Sequence, residues 1–157
     1  MKIALLANLK ENAPAGDFSK DRWDDLDSMK TVDHILDSLR QGGHEAVFFE
    51  ANINPPFNLI QQLEDFEPDL CFNIAEGHTG VSREAQIPAV LDMLGLPYTG
   101  SDVLTMAICL DKPMTKRLLH YHELPTPEFQ VFSSPEEPLN EDLGDEHKLL
   151  FPLFVKP

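Results

Sequence analysis

Three short apolar runs, each followed by sequence of helical character, constrain this chain more than anything else in it. KIALLAN at 2–8 reads as a strand buried on both faces; EAVFFEAN at 45–52 and DLCFNIAE at 69–76 repeat the pattern. Between the first two, Leu26, Met29, Val32, Ile35, Leu36 and Leu39 recur at helical spacing, predicting a helix over 24–40. Asp24, Asp25 and Asp27 would crowd its first turn, where acids favour the positive end of the dipole, and Gly42-Gly43 would end it. PPFNLIQQLEDFEP at 55–68 predicts a short second helix, and Val90, Leu91 and Leu94 a third that reaches Gly95, with Pro88 in its first turn. Strand and helix in strict alternation imply a parallel sheet with right-handed crossovers, a Rossmann-like half.

Beyond LPYTGS the rhythm changes. Ser101 is placed to cap a helix through 110, and a second helix is expected over 113–121. LPTPEFQVF at 124–132 predicts a turn and a strand, SSPEEPLNEDLGDEHK at 133–148 an exposed acidic loop, and LLFPLFVKP at 149–157 another strand. A last strand with nothing after it to pair with suggests a fragment. No apolar run is long enough for a signal peptide or a membrane span, and Cys71 and Cys109, both in apolar runs, read as buried thiols. These features predict a cytoplasmic protein.

Charge narrows the function classes. Twelve Lys and Arg stand against 27 Asp and Glu in 157 residues, a net charge of −15. That balance speaks against nucleic acid and anionic membrane surfaces, whose binding needs clustered cations. It leaves room for a nucleotide, which a few well-placed donors can hold. No G-x-G-x-x-G follows the first strand and no Walker lysine motif is present, so the ordinary dinucleotide and P-loop readings fall away. His120 and His122, two apart, would diverge on a helix and make a poor metal site.

Ligands of open α/β sheets gather beyond the carboxyl ends of the strands. The segments 8–23, 52–56 and 73–84 qualify. The last of them, with Glu76, Gly77, His78, Thr79 and Gly80, is flexible and polar and feeds a helix start, where backbone N–H groups favour an anion. Locally, His78 reads first as an exposed loop histidine, and Glu84 as a first-turn dipole partner rather than a catalytic group. Lys112, beside Pro113 at a break between helices, and Lys156, after the last apolar run, are rare cations in apolar settings. A lysine opening a helix opposes the dipole, which hints at another purpose for Lys112.

The run GLPYTGSDVLTMAICLDKPMTKRLLHYHELPTPEFQVF at 95–132, followed by FPLFVKP at 151–157, resembles the D-alanine–D-alanine ligases of the ATP-grasp superfamily. There an L-G-I-P-Y-T-G-S segment precedes M-D-K, T-K, L-P-T-P and Y-P-x-x-V-K-P in the same order; LRQGGHEA at 39–46 supports the match more weakly. The resemblance implies a Rossmann-like amino-terminal domain over 1–100, on the substrate side, and over 101–157 the linking helices and first strands of an ATP-grasp domain. It implies that Lys112 and Lys156 bind the phosphates of ATP, with Mg2+ held by residues late in the family's sequence, and that an acyl phosphate of one amino acid is attacked by the amine of a second. Two cations at a polyphosphate neutralise charge and orient the terminal phosphoryl. A homodimer through the first domain is a further implication.

The departures are specific. The family's G-G-x-S-x-E-x-x-V-S loop is replaced by NLKENAPAGDFSKDRWDDLDS at 8–28, in which Asp24 falls where the family has its substrate-amine-binding glutamate; a helix N-terminal acid is the other reading. In place of H-G-x-x-G-E-D-G stands AEGHTGVSREAQIP, with Glu76-Gly77 or His78 as candidates for the H-G position. D-alanine or a related amino acid or peptide therefore both stand as substrate, and Asp24, Glu76 and His78 as its candidate contacts. The expected function is the amino-terminal portion of an ATP-dependent carboxylate–amine ligase, inactive as this piece; a truncated binding or dimerisation module is the alternative.

Overall fold

The structure, a computed structural model, describes residues 1–15, 23–140, 149 and 151–155. It divides into two compact units, Met1–Asp111 and Lys112–Pro157. The first is an α/β layer structure. Strand β1 (Lys2–Ala7) lies centrally, with β2 (Glu45–Glu50) and β3 (Leu70–Asn73) parallel on either side. Beyond β3, Tyr98 adds an isolated parallel bridge to Cys71, closed by Cys71 N–H to Pro97 O at 2.8 Å and Thr99 N–H to Cys71 O at 3.0 Å.

Alternation along β1 builds two cores. Ile3, Leu5 and Ala7 face helix α1 (Met29–Gln41), which contributes Val32 and Leu36. Ala4 and Leu6 face the opposite way, joining Leu59 and Leu63 of α2 (Leu59–Phe66) and Ile87 and Leu91 of α3 (Gln86–Leu94). Helices on both faces explain why β1 reads as an unbroken apolar run. Lys2 finishes α2: its ammonium donates to the Phe66 carbonyl and lies 4.8 Å from the Phe66 ring centroid. A cation at a helix C-terminus meets the negative end of the dipole.

Helix α1 starts five residues later than its periodicity predicts. Asp27 N–H donates to Asn8 O and Lys10 N–H to Asp27 O, each at 3.0 Å, which pins Leu26-Asp27 beside the extension of β1. Backbone held in a bridge cannot be helical, so Ser28 becomes the N-cap and accepts from Thr31 N–H. Asp24, Asp25 and Asp27 are thereby outside the helix. At its far end Gly43, with φ +81°, makes the turn into β2.

Helices α4 (Val103–Leu110) and α5 (Lys112–Tyr121) follow. The cap of α4 is Asp102 rather than Ser101, accepting from Thr105 N–H at 2.8 Å. Cys71 is buried as expected, but Cys109 is exposed, because no residue of apolar α4 is buried. In the second unit, Lys116 of α5 donates to Thr126 Oγ1 at 2.9 Å and to Pro127 O at 2.5 Å, holding the LPTP turn on the helix. Residues 125–132 form no strand; Gln130 instead donates to Pro138 O and accepts from Asn140 N–H. A strand exists only as a pair, and 149 and 151–155 supply no partner among the described residues. No helix among the described residues is long and apolar enough to cross a membrane.

Leu5 is fully buried under α1. Leu5→Ala is expected to cost about 3 kcal/mol, read as a lower urea midpoint with an unchanged m-value.

Candidate functional site

The site is built outward from the end of β1. Asn8, 1% exposed, and Glu50, 4% exposed, are the buried polar residues of the core. Asn8 Nδ2 donates to Ala51 O at 3.0 Å and, more distantly, to Glu50 Oε1 at 3.4 Å, while its Oδ1 accepts from Gly77 N–H at 2.8 Å. Glu50 also accepts from Leu9 N–H at 3.2 Å and from Asn12 Nδ2 at 2.8 Å. One amide and one carboxylate thus tie together the carboxyl ends of all three strands. The order β2-β1-β3 places a topological switch between β1 and β3, where such sheets open a crevice.

A cleft of about 570 Å³ opens at this end, between the segment after β2 and the start of α3. Its floor is apolar, from Ala51, Ile53, Ile87 and Val90, and its polar groups include Asn52, Asn54 and Gln86. Gly77, His78 and Thr79 form one wall. Gly77 has φ +69°, and a Cβ there would stand 2.7 Å from Arg83 O, so glycine is required twice over. Gln86 Nε2 donates to Thr79 O at 2.8 Å and steadies the same wall.

His78 is half-buried, edge-on to Trp23 with ring centroids 5.8 Å apart. Its Nε2 is buried without a hydrogen-bond partner among the described residues. Burial lowers its pKa below the ordinary histidine value, and the charge of Glu50 opposes that shift. Glu76 behaves in the opposite sense. Burial, the neighbouring Glu84 carboxyl and a hydrogen bond shared with it push Glu76 up to about 7, with Arg83 counteracting and Asp25 reinforcing. Arg83 Nη2 lies 3.1 Å from Asp25, 3.9 Å from Glu84 and 4.0 Å from Glu76. Glu84 sits in the first turn of the 3-10 helix Arg83–Ala85 that leads into α3, as a first-turn acid would, and also neighbours the Glu76 carboxyl.

The structure brings Glu76 and His78 together on one loop and sets Trp23 and Asp25 against it. Asp24 is exposed and pairs with Lys10 at 3.4 Å. Lys112 is the exposed first residue of α5, in the second unit, and Lys156 lies outside the described residues. Asn8, Glu50 and Arg83 were not singled out by sequence reasoning. The available signal was a polar pair closing an apolar strand, Glu50 before Ala51-Asn52, and a lone arginine in an acidic loop. His120 stacks on Phe129 and lies 3.9 Å from Glu128, while His122 meets the Tyr121 ring. Among the described residues no three His, Cys, Asp or Glu side chains converge as a metal site.

No family model matches the chain. It is 36% identical over 136 residues to the D-alanine–D-alanine ligase of Moorella thermoacetica, covering 87% of this chain and 38% of that protein. With the enzyme of the same name from Pseudothermotoga lettingae it shares 32% identity over 157 residues, all of this chain and 45% of the relative. This chain is a homologue of the amino-terminal region of D-alanine–D-alanine ligases. The ligase of Bacillus anthracis, solved in complex with ATP, agrees in fold, with a TM-score of 0.59 at 23% identity over 91% of this chain and 43% of that one. The chain spans less than half the length of these relatives.

Removing the amide of Asn8 leaves Gly77 N–H and Glu50 short of partners. Asn8→Ala is expected to destabilise by about 2–3 kcal/mol and to speed amide exchange at Gly77. Gly77→Ala should add strain at the same wall; NMR spectra of the variants show whether the change is confined to the loops after β1 and β3.

Proposed function

We propose that this chain supplies the substrate-side lobe of an ATP-dependent ligase that joins a carboxylate to an amine. The reading rests on the homology with D-alanine–D-alanine ligases, which extends over 87% and 100% of the chain in two relatives. Residues 1–100 form the substrate-side domain, and residues 101–157 open the ATP-binding domain. Glu76, His78 and Asp24 are the proposed contacts for an amino acid such as D-alanine, and of these His78 lines the cleft. The carboxyls of Asp25, Glu76 and Glu84, gathered at Arg83 beside the His78 loop, suit a substrate that arrives with an ammonium group. Lys112 and Lys156 serve the phosphates of ATP, and a carboxyl phosphate is the activated species that the second amine attacks. Mg2+, bound elsewhere in a complete ligase, neutralises phosphate charge. A chain spanning 38–45% of such relatives carries only part of that machinery, and ADP release by it alone is not expected.

The test separates the two lobes. Titration with D-alanine is expected to shift the amide resonances of Gly77 and His78, and Glu76→Ala to weaken that response at least tenfold, about 1.4 kcal/mol. ATP should leave those resonances in place, and its weak binding should fall further in Lys112→Ala. A D-alanine response absent at every concentration up to saturation of the amino acid, with other amino acids equally silent, defeats the reading; a response to another amino acid alone changes the substrate.

A further inference from the structure

Arg83 lies among three carboxyl groups contributed by different parts of the chain. Asp25 precedes α1, Glu76 follows β3 and Glu84 belongs to the turn before α3. One guanidinium cannot balance three negative charges, and its reach to Glu76 and Glu84, at 4.0 and 3.9 Å, is that of an ion pair without a close hydrogen bond. Glu76 and Glu84 crowd the same Arg83 Nη2, and a proton on one of the two carboxyls relieves their repulsion and lets it donate to the other. We propose that Arg83, Asp25, Glu76 and Glu84 form a proton-dependent clamp, which holds the segment before α1 against the wall of the cleft while the glutamate pair keeps a proton.

The neighbouring charges favour this device. Lys10 and Asp24 pair beside Asp25 and sum to zero. Asp102, capping the helix that packs on the 83–85 turn, is engaged by Thr105 N–H. Glu50 faces His78 and is saturated with donors from Leu9, Asn8 and Asn12. Burial apart, the balance at Glu76 therefore lies with Glu84, Arg83 and Asp25. A group whose pKa is raised by folding stabilises the fold most at low pH and loses that contribution as pH rises through its folded value. With Glu76 pushed up to about 7, the clamp is closed below neutrality and loosens above it, where two adjacent carboxylates repel and Arg83 is divided between them and Asp25. Gly77 and His78 immediately follow Glu76, so the cleft wall moves with the clamp. The device operates whether or not the ligase reading holds.

Trp23, the single tryptophan, sits on His78 two residues before Asp25 and reports the closure directly. Its emission is expected to move to longer wavelength as the pH rises, with a midpoint near 7. Glu76→Gln should abolish the transition and keep the low-pH spectrum, because a glutamine amide donates to Glu84 at every pH. His78→Gln should retain the transition, which excludes simple quenching by a titrating imidazole. Should Glu76→Gln lose its far-UV circular dichroism, Glu84→Gln is the replacement, with the same loss of transition expected. A wild-type spectrum flat between pH 5.5 and 8.5, roughly the span over which such a pair changes charge, overturns the clamp. So does a transition that survives in the glutamate variant or vanishes in His78→Gln.

Discussion

The contact between Asn8 and Glu50 is the constraint on which the functional end of this molecule depends. Both are buried polar residues at the rim of an apolar sheet, where an unsatisfied amide or carboxylate is costly. Together they accept or donate to Leu9, Asn12, Ala51 and Gly77, so each strand end is registered against the other two. A polar network of this kind holds only when its members are satisfied together, which gives it one arrangement in preference to several. The hydrophobic faces of β1 determine that a sheet forms; this pair determines how its loops meet.

From that anchor the site follows in sequence order. The Asn8 carbonyl receives Asp27 N–H, which delays α1 and leaves Trp23, Asp24 and Asp25 in a segment free to cross the loop after β3. The Asn8 side chain holds Gly77 in a left-handed conformation, which turns Glu76 toward Arg83 and His78 toward Trp23. Thus the acidic junction and the cleft wall are consequences of two hydrogen bonds made by a single asparagine.

Much of this was legible beforehand, for a physical reason. Strands buried on both faces and helices buried on one leave apolar patterns that survive in the sequence, so β1, β2, β3, α2 and α3 lie where those patterns run. The start of α1 was not legible, because Asp24, Asp25 and Asp27 make a good first turn until a contact with Asn8 claims the backbone. The expected strand over 124–132 failed similarly: its residues have strand character, but pairing is a property of two segments. The apolarity of α4 predicts a buried Cys109, but exposure depends on what covers a helix. Arg83 and Glu50 escaped notice because their partners lie far away in sequence, as with Asp25, separated from Arg83 by 58 positions. The candidates Glu76 and His78 were visible as loop chemistry, but their opposite pKa shifts come from neighbours that spacing cannot display.

The distribution of charge bears on how an acidic chain could take part in phosphoryl chemistry. Around the cleft wall, carboxyls outnumber the arginine that holds them, and one of their protons is retained to near neutral pH. Such a cluster repels a polyphosphate and attracts an ammonium group. The lysine that the family resemblance associates with phosphate, Lys112, belongs instead to the second compact unit. Opposite charges near a reaction centre would neutralise each other if they shared one surface. The proposed reading assigns the amine to the unit that carries the acidic junction and the phosphates to the unit that carries Lys112.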